Sequence, residues 1–357
     1  MVTTSFARIP HEALSAQIDG WLGRYEVIAP VQECGIRRFR PIATGAEAQV
    51  AAWLTRIPLK ELFLPQTECL YRYEPSTDGT LRFTPAPVPE RPRVVFGVRP
   101  CDARSLRLLD RVFRETDRPD PTYVARRERT MLVGLACAEP RSVCFCTSVG
   151  GSPFGEEGLD LLLVDAGHEY LVKILTPQGA ALVTGLPVPD AAEAERCLAQ
   201  ARARAEGLMT PPVGTAGLQK RLKAGFADPA WKEIHEPCIG CGICAFLCPT
   251  CHCFDLVHEE DPHTVAGQAA SCIRAWDTCM FSLFTRQASG VNPRPSGMER
   301  MRQRLMHKFD YFVENFGEAA CVGCGRCIAH CPAGCDIRDS IARVQASENP
   351  SPAQPEG

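Results

Sequence analysis

The chain has 357 residues, of which 45% are hydrophobic and 23% charged, so it is long enough for two or three globular domains. A formal net charge of -3 and a pI near 6.3 exclude a general nucleic-acid binder, because neutralising phosphates requires a basic surface. The first twenty residues lack a signal-peptide pattern and no apolar run reaches membrane-spanning length, so we expect a cytoplasmic protein without a membrane span. Twenty cysteines in a chain of this length favour metal ligation over disulfide staples.

The first two thirds of the chain have the pattern of an α/β domain. Short apolar runs bounded by Gly, Pro or Asp predict strands at residues 94–98, 131–136, 159–164 and 170–175. Helical patterns cover residues 11–24, 103–113 and 191–205, and Asp102 and Asp190 are the expected N-caps of the last two. We therefore predict an α/β domain over residues 1–229.

Four cysteines of this region follow two of the predicted strands. Cys101 comes after the strand at 94–98, and Cys137, Cys144 and Cys146 come after the strand at 131–136. If these strands are parallel neighbours, their carboxyl ends meet at one edge of the sheet, where α/β proteins bind ligands. Spacing alone leaves three interpretations open: a third iron-sulfur cluster, a zinc site with four thiolates, or ordinary buried thiols.

The last third repeats one motif, C-x2-C-x2-C-x3-C-P, at residues 238–249 and 321–332. Such runs ligate 4Fe-4S clusters, and in two-cluster ferredoxins the fourth cysteine of each run ligates the other cluster. Small Gly242 and Gly325 are expected to let the backbone approach the inorganic sulfides. We assign site A to Cys238, Cys241, Cys244 and Cys331, and site B to Cys321, Cys324, Cys327 and Cys248. Site C denotes the earlier group, Cys101, Cys137, Cys144 and Cys146.

Zinc is the alternative for sites A and B, but it favours paired C-x2-C knuckles rather than two four-cysteine runs that each end in proline. The two runs are separated by 72 residues, 249–320, too many for a minimal bacterial ferredoxin. We predict a mainly α-helical dicluster ferredoxin-like domain with a long insert at residues 230–346. Residues 347–357 are rich in Pro, Ser and Glu and are predicted to form a disordered tail.

The insert carries a helical pattern at residues 298–316 with several basic side chains, among them Arg304 and Lys308. These side chains either form a solvated face or offset negative charge of a cluster or an acidic partner. Three further cysteines, Cys251, Cys253 and Cys279, are possible additional ligands or small packing residues. His252 and His307 are expected to form hydrogen bonds near the clusters rather than to ligate them.

The chain has no motif for binding a nucleotide or hydrolysing a substrate. Gly150 and Gly155 have P-loop spacing, but Glu156 and Glu157 stand where Lys and Ser or Thr are needed, and no G-x-G-x-x-G follows a strand. We therefore expect a non-catalytic subunit that relays electrons between a flavin-bearing subunit and a subunit with a catalytic metal centre.

Ordered motifs across residues 90–345 resemble the beta subunit of soluble group 3 nickel-iron hydrogenases (sulfhydrogenases), a family that also includes the A subunit of anaerobic sulfite reductase. The resemblance is carried by residues 96–102, 125–128, 134–137, 144–146, 248–253, 276–279, 307–309 and 321–327. The family's pattern also has cysteines matching those of site C and Cys251, Cys253 and Cys279, but it differs from this chain at residues 285–292 and at Cys335.

The resemblance implies a dicluster ferredoxin fused to an α/β domain, with a third 4Fe-4S cluster at site C. It implies partners that are an FAD- and NAD(P)H-binding reductase subunit and a catalytic nickel-iron subunit, or a sirohaem subunit if the chain serves sulfite or another sulfur compound. Two alternatives of another class remain: a structural zinc protein, and a catalytic subunit with a substrate-reducing centre at Cys251, Cys253 and Cys279.

Overall fold

A computed structural model of the chain describes residues 5–50, 54–76, 78–260 and 269–347. Apart from Ser347, the predicted tail therefore lies outside the described residues. The strands of these ranges are β1 Ser5–Pro10, β2 Glu26–Glu33, β3 Ile36–Pro41, β4 Thr67–Pro75, β5 Leu81–Pro85, β6 Arg93–Val98, β7 Thr130–Leu135, β8 Leu161–Asp165, β9 Glu169–Ile174, β10 Phe254–Glu260 and β11 Ala270–Trp276.

The helices of the α/β part are α1 Leu14–Leu22, α2 Pro100–Phe113, α3 Pro121–Glu128, α4 Pro177–Leu182, α5 Ala191–Gly207 and α6 Leu218–Ala224. Those of the last third are α7 Ala230–His235, α8 Ile243–Phe246, α9 Gly297–Met306, α10 Phe312–Phe316, α11 Arg326–Ala329 and α12 Ile337–Ala346, with a π-helical turn at His307–Tyr311 between α9 and α10. No helix in the described ranges is long and apolar enough to cross a membrane.

A mixed seven-stranded sheet forms the centre of the α/β part, in the order β1-β9-β8-β7-β6-β2-β3. Strands β2, β6, β7 and β8 are parallel, while β1, β3 and β9 pair antiparallel. Helices α2, α3 and α5 cover one face, and α1 and α4 cover the other. Every residue of β6 is buried, as expected for a parallel strand covered on both faces. The four predicted strands and the parallel pairing between β6 and β7 are confirmed.

The N-cap prediction is confirmed for one helix and wrong for the other. The Asp190 carboxylate accepts a hydrogen bond from the backbone N-H of Glu193 at the start of α5. Helix α2 instead begins earlier, with Arg99 as its N-cap and Pro100 at its first position. Asp102 therefore lies in the first turn of α2, where its carboxylate binds a different partner, described below.

A second sheet joins the two parts of the chain. It is antiparallel with the order β10-β11-β4-β5, so strands of the 72-residue insert pair with strands that precede β6 in the chain. Buried Arg274 of β11 reinforces this junction through ion pairs with Glu68 of β4 and with Asp120 at the N-terminus of α3. The insert was predicted only as a helical segment, and its hairpin of β10 and β11 is a finding of the structure.

Candidate metal centres

The two cysteine runs fold into the same local structure. In each run the third cysteine lies in a short helix, α8 or α11, that follows a glycine with positive φ: Gly242 at 75° and Gly325 at 74°. Only glycine adopts this conformation without strain. Protein neighbours also exclude a side chain at both glycines, because a Cβ at Gly242 would meet Thr278 at 2.9 Å and one at Gly325 would meet the Val143 carbonyl oxygen at 2.5 Å; the predicted approach to inorganic sulfides stays a prediction.

Site A brings together its four predicted cysteines around one small cavity, which Cys335 and Met280 also line. The backbone N-H of Cys335 donates a hydrogen bond to the Cys331 sulfur at 3.2 Å, a role the sequence did not predict. The site borders the surface, since Cys241 is exposed and Ile239, between two cysteines of the run, is 69% exposed.

Site B is buried more deeply. Burial raises the pKa of the Cys321 thiol and raises that of Cys324 to about 12, and the charge of Cys248 acts in the same direction on both. Cys248 accepts a hydrogen bond from the Lys308 ammonium at 3.2 Å. The structure therefore brings Cys331 to the first run's cysteines and Cys248 to the second run's, the arrangement that an exchange of fourth ligands requires; the ligand sets themselves stay a prediction.

Site C lies at the carboxyl ends of β6 and β7, the edge predicted from the sequence. Its four cysteines line a cavity of about 450 Å³ together with Cys324 of site B. Cys101 is in the first turn of α2, and the Arg99 guanidinium donates to the carbonyl oxygens of Leu135 and Ala136 at the end of β7. Burial raises the pKa of Cys101 and Cys137 and raises that of Cys146 to about 12, so a protein-bound cation is needed to hold these groups as thiolates.

Sites B and C are held against each other by the glycine before Cys324. The backbone N-H of Phe145, between the last two cysteines of site C, donates to the Gly323 carbonyl oxygen at 2.9 Å. A Cβ at Gly323 would come within 2.5 Å of the Phe145 and Cys146 backbone, so a side chain at this position would separate the two loops.

A buried ion pair reinforces the same junction. The Arg326 guanidinium, from the motif of site B, forms two hydrogen bonds with the Asp102 carboxylate at 2.8 and 2.7 Å and donates to the Thr55 carbonyl oxygen. Both side chains of the ion pair are buried. Burial alone would lower the pKa of Arg326, but the charges of Asp102, Cys324 and Cys101 raise it above the ordinary value. Arg326 is thus a fixed cation between sites B and C.

The basic helical pattern of the insert does not form a solvated face at its centre. Arg304 and Lys308 are buried, and their charges face the cysteines of sites A and B. Within the described ranges, the Nη1 atom of Arg304 has no hydrogen-bond partner, and thiols rather than carboxylates raise the pKa of its guanidinium. Buried cations without a carboxylate are unstable unless another anion compensates them, so these side chains fit sites that carry negative charge.

A further buried cation, Lys60, was missed by the sequence analysis. Its ammonium donates to the Cys251 carbonyl oxygen at 2.6 Å and lies 4.1 Å from the centre of the Trp276 ring. Burial lowers the pKa of Lys60 to about 8, although Cys251 and Cys248 act against this. Lys60 lies 191 positions from Cys251 in the chain, and no local pattern distinguishes it from a surface lysine.

Both histidines near the motifs are half-buried and have lowered pKa values. Burial lowers the pKa of His252 to about 4 and that of His307 to about 3. Their rings lie 5.3 Å apart, and His252 Nδ1 is 3.0 Å from the Thr250 carbonyl oxygen. The two rings pack against each other and His252 forms a hydrogen bond, while the expectation that neither histidine ligates a cluster stays a prediction.

The described residues contain no group of three or more His, Cys, Asp or Glu side chains arranged around a single metal ion. The cysteines of sites A and C instead line cavities.

Two comparisons with known proteins agree with this geometry. Residues 237–335 match the protein-family model described as a 4Fe-4S dicluster domain. The chain is also 29% identical over 314 residues to sulfhydrogenase 2 subunit beta of Pyrococcus furiosus, an alignment that covers 86% of this chain and 88% of the relative. The resemblance to the hydrogenase beta-subunit, 4Fe-4S dicluster family is confirmed. No solved structure gives a significant match.

The two matches differ in what they cover. The dicluster match includes every cysteine of sites A and B but none of site C, which lies before residue 237. Similarity to the sulfhydrogenase subunit extends over most of the chain. Together they support an iron-sulfur electron-transfer subunit with a C-terminal 4Fe-4S dicluster domain and an N-terminal α/β region.

Proposed function

We propose that the chain is the electron-transfer subunit of a cytoplasmic, multi-subunit oxidoreductase and that sites A, B and C each hold one 4Fe-4S cluster. The clusters would supply one-electron transfer. The residues of the chain would fix their spacing, shield them from water and balance their charge. We propose a division into an α/β domain at residues 1–229 and a dicluster domain at residues 230–346, the second of which contains the family match at residues 237–335.

The single observation that carries this proposal is the serial arrangement of the three sites. Arg304 faces Cys244 of site A and Cys327 of site B, and Cys324 of site B lines the cavity of site C. Site A borders the surface at Cys241, and the cavity of site C borders it at Glu139 and Arg141. A row of sites that reaches the surface at both ends is what a relay between two partners needs.

Buried cations support metal centres with thiolate ligands at sites A and B, and cavity size is compatible with a cluster at site C. At site C the four cysteines are among the residues that line a cavity of about 450 Å³, which has room for a 4Fe-4S centre. The buried cations Arg304 and Lys308 also require a compensating negative charge, which thiolate-ligated centres would provide at sites A and B.

The proposed partner subunits are inferred from the similarity to the sulfhydrogenase subunit. The chain has no nucleotide-binding motif of its own, and the similar protein is a sulfhydrogenase subunit. We propose that one end of the relay receives or delivers electrons at an FAD- and NAD(P)H-binding subunit, and that the other end meets a nickel-iron catalytic subunit. A sirohaem subunit that reduces sulfite is the alternative outcome of the test below.

The test uses the purified complex. Replacing Cys144 and Cys146 with Ser should remove site C and abolish hydrogen-dependent reduction of NAD(P)+, while hydrogen-dependent reduction of an artificial dye that bypasses the relay persists. A matched control is Cys197→Ser in α5, a half-buried cysteine outside the three sites. Unchanged NAD(P)+ reduction in the double variant would refute the relay through site C. Oxidation of NAD(P)H by the parent complex that depends on sulfite would identify a sirohaem subunit as the partner instead.

A further inference from the structure

An exposed loop between β11 and α9 lies against site A. Residues 281–294, which we call the site A loop, contain no helix or strand. At the start of the loop, the Phe281 ring is so close to the first cysteine run that a Cβ at Gly242 would meet it at 3.0 Å. A Cβ at Gly240 would lie 3.9 Å from the carbonyl oxygen of Met280, the residue before the loop. The loop is therefore attached to the cysteine run of site A.

Hydrogen bonds within the loop close it on itself. The Asn292 side chain accepts a hydrogen bond from the Thr285 hydroxyl at 2.8 Å and donates one to the Ser282 carbonyl oxygen at 2.6 Å. The backbone N-H of Gln287 donates to the Val291 carbonyl oxygen at 2.8 Å. Compact loops of this kind, whose ends are close together, are frequently functional. The loop also includes the segment in which this chain differs from the family's pattern.

Apolar side chains of the loop face the solvent beside site A. Leu283 is 65% exposed, Val291 60% and Phe281 40%, and Ile239 of the adjoining cysteine run is 69% exposed. Single exposed apolar side chains are ordinary, but a group of them at one place marks an interaction site. Weak redox encounters bury less surface than the about 1,600 Å² of a standard interface, so a small apolar surface suits such a contact.

The loop is also basic. It contains Arg286 and Arg294 and no acidic residue, whereas the whole chain has a formal net charge of -3. Within the described ranges, neither guanidinium forms an ion pair with a carboxylate. A second copy of this chain that docked through the same loop would place like charges opposite each other. The charge of the loop is instead complementary to a protein face that carries Asp and Glu side chains.

We propose that the site A loop is the docking surface for a redox partner subunit with an acidic face, which exchanges electrons with site A. The electron exchange rests on the proposed function, whereas the docking surface rests on the exposure and charge of the loop. One electron leaves the partner's redox centre for each electron that arrives at site A, and no bond forms or breaks. The apolar side chains exclude water from the contact, and Arg286 and Arg294 orient the partner.

A photo-crosslinker in the loop identifies the protein that covers it. The anaerobically purified complex, with p-benzoylphenylalanine in place of Leu283, is irradiated and digested for mass spectrometry. We expect a linked peptide from another subunit, with Asp or Glu beside the linked residue. The same replacement at Leu208, which is 54% exposed at the end of α5, is the control and should not link to that peptide. A link to a second copy of this chain, or no link to another protein, would overturn the proposal.

Variants test the chemistry of the contact by measuring binding between this chain and the subunit that the cross-link identifies. Leu283→Asp should weaken binding about tenfold or more, as the loss of a central apolar contact does. Arg286→Glu should slow association and flatten its dependence on salt, because charges at the rim act mainly on the association rate. Matched controls are Leu208→Asp and Arg118→Glu, the second at an exposed arginine between α2 and α3. Effects no larger than those of the controls would overturn the proposal.

The iron content separates the docking surface from the proposed function. If the parent chain held no iron, the proposed function would fail, but a cross-link from Leu283 to an acidic face would still support the docking surface. If iron is present and the linked peptide has no acidic residue, the docking proposal fails while the proposed function stands.

Discussion

The buried ion pair between Arg326 and Asp102 gives the sharpest prediction about how the two parts of the chain are joined. Replacing Arg326 with Met leaves the Asp102 carboxylate buried and without its cation. Removing one partner of a buried pair costs about 3–5 kcal/mol, because the other charge stays away from water. Asp102→Leu should lower the free energy of unfolding by a similar amount, because it leaves the Arg326 guanidinium buried without its carboxylate.

The expected shift in melting temperature follows from the size of the chain. An unfolding entropy of roughly 2.1 cal/mol/K per residue gives about 0.75 kcal/mol/K for 357 residues. A loss of 3–5 kcal/mol then lowers the melting temperature by about 4–7 °C if the chain unfolds cooperatively. The double variant, with neither charge, should lose less than the sum of the two single variants.

Differential scanning calorimetry of the anaerobic protein would measure these shifts, with Glu115→Gln as the control. Glu115 pairs with Arg111 one helical turn away at the exposed end of α2, so its loss should cost less than about 1 kcal/mol. Additive effects of the two single variants, or shifts no larger than that of the control, would refute the assignment of a coupled buried pair.

Three further predictions concern the surroundings of site B. Gly323→Ala should destabilise the chain by more than positive φ alone, which costs about 1–3 kcal/mol, because the new Cβ would meet the Phe145 backbone at 2.5 Å. Gly334→Ala is the control, since Gly334 has a similar φ but open space around it, and should lose only the free energy that positive φ costs. Equal losses of stability in thermal melts of the two variants would contradict this prediction. Arg304→Gln should lower the reduction potentials of sites A and B in an electron paramagnetic resonance titration, since it removes a buried cation beside both; unchanged potentials would argue against its charge-balancing role. The pKa of His307 lies near 3 in the folded chain, below its value of about 6.5 in the unfolded chain. Between these two pH values the unfolded chain binds a proton that the folded chain does not bind. The stability of the folded chain therefore falls as the pH drops from about 6.5 towards 3. His307→Gln should flatten this fall in melting temperature between about pH 6.5 and 5, and an unaltered pH profile would assign it to other groups.

Sequence patterns predicted the parts of the molecule whose signals are local. Apolar runs located the strands of the parallel sheet, and the spacing of the cysteines located the two motifs of sites A and B. Site C also followed from sequence, because β6 and β7 are parallel neighbours and their carboxyl ends bring Cys101 and Cys137 to one edge.

What the sequence did not predict depends on contacts between distant segments. The hairpin β10–β11 belongs to a sheet completed by β4 and β5, which lie far earlier in the chain, and β10 is too exposed to show a buried apolar pattern. Sequence alone predicts Asp102 as a helix N-cap, because its ion-pair partner Arg326 is 224 positions away in the chain. The role of Lys60 could not be predicted from sequence either, because only the fold brings its ammonium to the Cys251 carbonyl oxygen.

A relay of three iron-sulfur sites in one chain can be tested by measuring the iron and acid-labile sulfide content of the anaerobically purified protein. Three clusters require about 12 iron and 12 sulfide per chain, and we expect about four fewer of each when Cys144 and Cys146 are replaced with Ser. About eight of each, unchanged in that variant, would contradict a cluster at site C, and zinc in place of iron and sulfide would contradict the relay altogether.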